Sequence, residues 1–266
     1  MIHNDIIDIP EISTEGKIDA PGNEKKLSDY FVFQVPQIPS SSLQPPKVPM
    51  DHLSPTSANP NRIPFPCDCN FRLTFPPSNQ VYRTKNWDFS VSLNKLYIDM
   101  NKWVQVNFHC TPSPPEGLYI RAVPVYADAS DLRTPVKRCP NHSRAEDPTN
   151  TEFSFPLHLI RFDTEAALYC EDLTSGRLSV LTPIGQPQEG DTVIHQLVKF
   201  MCLGSDVGGI NRRPLRVIFT LEDEQTNIFG RHVVEVRICC CPRRDKAIEE
   251  ERVERYRDTA RNVAKR

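Results

Sequence analysis

The residues of this chain that could do chemistry fall into two groups, thiol–imidazole and cationic. Cys139-Pro140-Asn141-His142 sets a thiolate and an imidazole three residues apart, within reach of one zinc ion. The second pair of ligands has to come from elsewhere, and Cys202 stands 60 residues beyond His142. Structural zinc sites usually show two tight pairs, so spacing alone leaves coincidence as the commoner explanation. The basic residues cluster more clearly. Asn211-Arg212-Arg213-Pro214 follows Gly208-Gly209 in a segment between strand-like runs, Arg237 ends a β-like run, and Arg243, Arg244 and Lys246 open a helical one. Arginine at a helix N-terminus opposes the helix dipole, and an anionic partner resolves that cost. Duplex DNA offers guanine edges to an arginine fork and phosphates to helix-terminal amides. Asp245 could hold one of these arginines in place. The same residues also suit a solvated charged rim, and the sequence pattern leaves both readings open.

No enzyme is expected. There is no glycine-rich phosphate loop, nucleophile elbow or paired-histidine metalloprotease helix. His109 and His195 fall in strand-like runs, where core or edge positions suit them better than catalysis.

The elements that would position these groups are β-strands. Residues 1–65 read as a disordered, proline-rich arm: nine of the 31 residues from Pro36 to Pro66 are proline, too few apolar groups to order a core. Inside it, Leu27 to Phe33 form an isolated apolar cluster that either docks into a partner's groove or is a stray hydrophobic patch. From Phe71 onward short alternating runs follow one another. WVQVNFHC, LYIRAVPVY, LHLIRF, a strand near Ala166 to Cys170, RLSVLTP, VIHQLVKFM, LRVIFTLED and RHVVEVRI are separated by proline, glycine and asparagine breaks. Such a pattern predicts an antiparallel sandwich or barrel. After Cys241 the periodicity changes to a charged helix, with Glu249, Glu250 and Glu251 early and Arg261, Lys265 and Arg266 late, as the dipole favours. The nine cysteines are odd in number and irregularly spaced, and the acidic N-terminus lacks the pattern of a secretory signal; a reducing nuclear or cytosolic compartment is expected rather than a disulfide framework. A formal charge of −2 does not announce a nucleic-acid partner, but local potential rather than the sum decides recognition. No apolar run is long enough for a membrane helix, and no membrane partner is expected.

Several segments together resemble the DNA-binding domain of the p53 tumour-suppressor family. They are Lys137 to His142, His158-Leu159-Ile160-Arg161, Phe200-Met201-Cys202, Val207 to Pro214, Thr220-Leu221-Glu222 and Glu235 to Pro242, in order and with compatible spacing from about Phe71 to about Glu251. Ser92 to Tyr97, IRAVPVY and Thr174 to Arg177 fit as well. The resemblance implies a mainly β fold: an immunoglobulin-like antiparallel β-sandwich with a loop–sheet–helix DNA-binding element and a C-terminal helix. The domain would span residues 66–251, followed by a charged helical extension over 252–266.

The implied function is a sequence-specific transcription factor for double-stranded DNA, located in the nucleus and regulating stress, cell-cycle or apoptosis genes. It would self-associate on tandem half-sites, with coactivator docking at the N-terminal arm; the alternative is a sandwich kept as a protein-interaction module with reduced DNA binding. Residue by residue, the resemblance implies zinc ligands at Cys139, His142 and Cys202, with Asp206 standing where the family has a fourth cysteine. Aspartate is a permitted zinc ligand, though a harder one. It further implies Arg212 in the minor groove, Arg237 on a phosphate and steadied by Asp245, Arg244 reading guanine with Cys241 beside it, and Ser205 and the Cys240 backbone on phosphates. Arg83 or Lys85 would be the basic reader of the first loop. Arg138, Arg213 and Lys246 would brace loops and helix. Leu203, Ala247 and Ser143 depart from the pattern, and Ser143 puts pairing through Arg144 in doubt.

Overall fold

The computed structural model describes residues 56–66, 68–76, 86–111, 113–114, 116–187 and 193–264. The expectations for the arm up to residue 55, for its Leu27–Phe33 cluster and for Arg83 and Lys85 lie outside the described residues.

Eleven strands and one long helix are seen among them. The strands are β1 (Arg72–Thr74), β2 (Trp87–Ser90), β3 (Lys95–Ile98), β4 (Val104–His109), β5 (Tyr119–Tyr126), β6 (Ile160–Phe162), β7 (Leu168–Glu171), β8 (Leu178–Pro183), β9 (Val193–Phe200), β10 (Leu215–Glu222) and β11 (Ile228–Ile238), and the helix α1 is Pro242–Ala264. They make one sheet in the order β1-β4-β9-β6 and another in the order β2-β3-β11-β10-β5-β8-β7. The expected β-sandwich is thus present, and every strand-like run of the sequence forms a strand, LHLIRF only over its last three residues. One pairing departs from the antiparallel expectation: β3 runs parallel to β11, with Lys95 opposite Glu235 and Ile98 opposite Ile238.

The packing follows the alternation. In β4, Val104, Val106 and Phe108 are buried while Gln105, Asn107 and His109 are not. Phe108 stacks on Phe71 and meets Phe219 edge-on, joining the two sheets. The sheet core also contains an ion pair, Arg121 on β5 with Glu222 on β10 at 3.0 Å.

Two long connections leave this frame on the same side, residues 127–159 between β5 and β6 and residues 201–214 between β9 and β10. Neither carries enough apolar surface to order itself, and buried polar groups hold them. Arg138 is 2% exposed and donates from Nε to the Met201 carbonyl (3.0 Å) and from Nη1 to Asn150 Oδ1 (2.6 Å), so one guanidinium spans both connections. Arg213 donates to the Tyr126 hydroxyl at 2.6 Å and lies 3.7 Å from the centre of that ring. Gly209 is obligatory for a different reason: a Cβ there would meet the backbone nitrogen of Cys139 at 2.9 Å.

Candidate nucleic-acid interface and metal centre

The close approach at Gly209 brings the two connections together at Cys139. Around it four donors converge, the Sγ of Cys139 and Cys202, Nδ1 of His142 and Oδ2 of Asp206, all within 4.8 Å of one another. His142 Nδ1 lies 3.3 Å from Cys139 Sγ and 3.5 Å from Cys202 Sγ. Asp206 Oδ2 lies 3.0 Å from Cys202 Sγ, 3.8 Å from Cys139 Sγ and 3.0 Å from His142 Nδ1. A tetrahedral zinc ion with ordinary ligand lengths requires donor separations of about 3.4–3.8 Å for these atom types, the largest between the two sulfurs. The observed edges bracket that range, so the residues fit one zinc ion.

The surroundings fit as well. The Cys139 amide donates to Cys202 Sγ at 3.3 Å, a contact that favours thiolate. Burial pushes the Cys202 thiol well above its ordinary range, a cost that a bound cation removes because a ligating thiol is deprotonated. Asp206 also caps its own turn, Oδ2 accepting from the Leu203 amide at 2.9 Å. Turn cap and ligand are compatible roles, since a carboxylate oxygen has more than one lone pair.

The remainder of the 201–214 connection turns towards the end of β11. Gly204 packs on the Ile238 carbonyl, which a Cβ would meet at 2.9 Å. Asn211 and Arg212 both take left-handed backbone angles, φ 51° and 60°, and the Arg212 amide donates to the Gly204 carbonyl. Two successive non-glycine residues in that region cost energy, and here they project Arg212 outward from a closed turn. The result is an open cleft of about 500 Å³ lined by Ser205, Arg212, Arg237, Cys240 and Arg244. Cys241 is exposed at the mouth of α1 without lining the cleft.

Helix α1 begins at Pro242, whose missing N–H would have had no helical partner. Asp245 in its first turn suits the dipole and bridges two arginines: Arg237 Nη2 at 3.2 Å and Arg244 Nη2 at 3.1 Å. The arginine side chains remain 50% and 68% exposed, so both retain donors for a ligand. One turn on, Glu249 sits 3.6 Å from Arg237 Nη1 and 2.6 Å from Lys95 Nζ. Burial works against its charge, but Lys95, Tyr97 and Arg237 together hold the carboxyl below its ordinary range. Lys246 reaches Asp88 on β2 at 3.1 Å, fixing the helix to the sheet. Glu249 and Asp88 were missed by sequence reasoning. The four-residue step from Asp245 to Glu249, which puts two carboxylates on one helix face behind Arg237, was the available signal for the first; Asp88 had none.

Comparison with known proteins adds to this geometry. The family model described as P53 DNA-binding domain matches residues 64–253. The chain is 36% identical to cellular tumor antigen p53 of Oncorhynchus mykiss over 207 residues, 77% of this chain and 52% of that protein. It is 39% identical to the protein of the same name from Xenopus laevis over 174 residues, 65% of this chain and 48% of that one. With that of Xiphophorus hellerii it shares 34% identity over 245 residues, 92% and 68% of the two chains. The chain spans about half the length of most of these relatives.

Proposed function

The chain belongs to the P53 DNA-binding domain family, whose partner is double-stranded DNA, and from that premise we propose that it is a nuclear transcription factor reading DNA through the arginine cleft. The observation that carries this reading is the convergence of Ser205, Arg212, Arg237, Cys240 and Arg244, drawn from three separate segments, on one cleft. An interaction module without DNA would need no such arginine set.

The roles follow from geometry and charge. Arg244, more exposed than Arg237 and steadied through Nε and Nη2 by Asp245, is placed at a helix N-terminus, the end that enters a major groove in many DNA readers; its fork suits guanine O6 and N7, and exposed Cys241 contacts the neighbouring base. Arg237 is fixed by two carboxylates and acts on a phosphate, with the Ser205 hydroxyl and Cys240 amide beside it. Arg212 enters a narrow A·T-rich minor groove, whose potential draws a long cation. Arg83 or Lys85 supplies a further contact. Zinc held by Cys139, His142, Cys202 and Asp206 contributes a structural tie between the two connections. The bounds we assign are 66–251 for the DNA-binding domain, with an arm before it and a helical extension over 252–266.

Two substitutions separate base reading from phosphate clamping. Arg244→Ala costs about 1–3 kcal/mol of binding and relaxes preference at one guanine position. Arg237→His weakens every site alike and flattens the dependence of log K on log salt by about one unit. Binding of both variants to a panel of duplexes at several salt concentrations tests this. A uniform loss from the first, or an unchanged slope in the second, contradicts the assigned roles.

We further assign self-association on tandem half-sites, and to residues 1–65 an activating role with coactivator docking through the Leu27–Phe33 cluster. Replacing Tyr30, Phe31 and Phe33 with Ala then abolishes reporter activation while leaving DNA affinity unchanged. Full reporter activity from the triple variant rejects that role.

A further inference from the structure

Arg243 opens α1 beside Arg244, yet the arginine cleft leaves it without a role. It is exposed and, unlike Arg244, lies outside the lining of the cleft. Its side chain forms no ion pair or hydrogen bond among the described residues, and the nearby carboxylates are already engaged. Asp245 holds Arg237 and Arg244, and Glu249 holds Lys95 and Arg237. Glu250 accepts from Ser90 Oγ at 2.6 Å, and Asp88 takes Lys246. A bare cation in the first turn opposes the helix dipole, so Arg243 weakens the fold and makes no contact that offsets this.

The helix geometry indicates what it meets. Successive residues of an α-helix are about 100° apart around the axis. Seen down α1, Arg244 therefore stands between Arg243 on one flank and Asp245 on the other. The Asp245 flank is the one that holds Arg237, 3.2 Å away. Arg243 is thus on the side away from Arg237, where Ala247, one turn on, carries no charge and Lys246 turns to β2. With Arg244 directed at base edges, the two flanks of the helix start face the two walls of a major groove about 12 Å wide. Those walls are the phosphate backbones of opposite strands.

We propose that Arg243 binds a backbone phosphate on the groove wall opposite the one held by Arg237, so that the helix start grips both strands. This rests on the DNA reading above and adds a second clamp to it. A phosphate suits Arg243 better than a base. Base reading needs a fork held in plane, as Asp245 holds that of Arg244 through Nε and Nη2, and Arg243 has no such support. Phosphate contacts fix register and orientation without it.

The test uses the full chain and the duplex it selects from a random panel, with single phosphates replaced by neutral methylphosphonates, one strand at a time. Arg243→Gln should weaken binding to the unmodified duplex about tenfold, the scale of one charge-assisted hydrogen bond. The salt slope should fall by about 0.9. One methylphosphonate should cost the parent a similar factor and the variant almost nothing. It should lie on the strand opposite the phosphate that couples to Arg237→Gln in the same way. Coupling to no phosphate, or only to phosphates of the Arg237 strand, overturns the proposal, as does a loss confined to one base position. The thermal midpoint of Arg243→Gln should stay at or above that of the parent, since the dipole no longer meets a cation; a lower midpoint would make Arg243 a structural residue and overturn the proposal too. Arg255→Gln, an exposed arginine about three turns along the same helix, should bind within about twofold of the parent. An equal loss there would reduce the effect to net charge and reject the contact. If Arg244→Ala also leaves binding unchanged, the DNA reading falls and this proposal with it; if only Arg243→Gln is silent, this proposal falls alone.

Discussion

Replacing Arg121 with Met lowers the stability of the folded chain by roughly 3–5 kcal/mol, a large share of what a domain of this kind possesses. The reason is the state in which Glu222 is left. Its side chain is 0% exposed, and its carboxylate accepts from Arg121 Nε at 3.0 Å and from Thr220 Oγ1 at 2.6 Å. Arg121 also donates to Ser179 Oγ at 3.0 Å. Removing the cation leaves a buried carboxylate with one hydroxyl for company. Burial already raises the Glu222 pKa, and Arg121 is the chief influence pulling it back; without Arg121 it rises further. A carboxyl whose folded pKa exceeds the unfolded value of about 4.3 destabilises the fold as pH climbs from that value through the folded pKa, because the unfolded chain then binds fewer protons. The deficit of Arg121→Met relative to the parent is therefore greatest above the raised pKa and narrows as pH falls to about 5. Urea unfolding of both proteins at several pH values measures it. A deficit independent of pH would assign the loss to packing instead of charge. Adding Glu222→Leu to Arg121→Met should recover most of the loss, since a well-packed apolar pair often matches a buried ionic one.

The second large effect is at Asp206. Asp206→Cys tightens zinc and Asp206→Ala loosens it, each on the order of ten- to a hundredfold, the range in which even ligand-orienting residues move metal affinity. Thiolate is the softer and stronger donor for this ion. Both substitutions also forfeit the Leu203 amide contact at 2.9 Å, a hydrogen bond of about 1 kcal/mol. That loss is small beside metal-binding energies of about 10–16 kcal/mol in thiolate-rich structural sites. The order of chelator midpoints should therefore be Cys, Asp, Ala, from hardest to easiest stripping. Chelation should raise amide exchange in residues 127–159 and 201–214 together and lower DNA affinity. Protein purified without added metal that contains no zinc, yet binds DNA specifically, would show that Arg138 and the Gly209 contact hold the connections unaided.

How much of this was legible in the sequence depends on the range of the signal. Strands β4, β5, β10 and β11 declare themselves by local alternation, and α1 by its switch to charged helix formers. Strands β1, β2 and β3 are three or four residues long, too short for a periodic signal to stand out; β1 and β3 exist because the longer β4 and β11 offer an edge, and β2 adds to β3. The β3–β11 pairing joins residues no local pattern connects. Arg121 reads as an interruption in the strand YIRAVPVY, and nothing nearby names Glu222 as its partner. At the metal centre Cys139 and His142 are visible as a pair and Cys202 as a distant third candidate, whereas Asp206 was named only through family resemblance. The donor geometry adds the physical reason, since the Leu203 turn cap aims the Asp206 carboxylate at both thiols.

The parallel pairing of β3 with β11 has a consequence for time. Lys95 and Glu235 are neighbours in the sheet but 140 positions apart in the chain (235 − 95). Such distant partners must find each other before the end of β11, with Arg237 and the start of α1, has a surface to rest on. Sheets dominated by long-range pairing fold in milliseconds to seconds rather than microseconds. A growing polypeptide meets the same constraint at the ribosome, where synthesis proceeds at about 5–20 residues per second. Lys95 emerges many seconds before its partner strand exists. During that interval β2 and β3 have no neighbour on the β11 side, and the capacity to grip DNA is among the last properties the chain acquires.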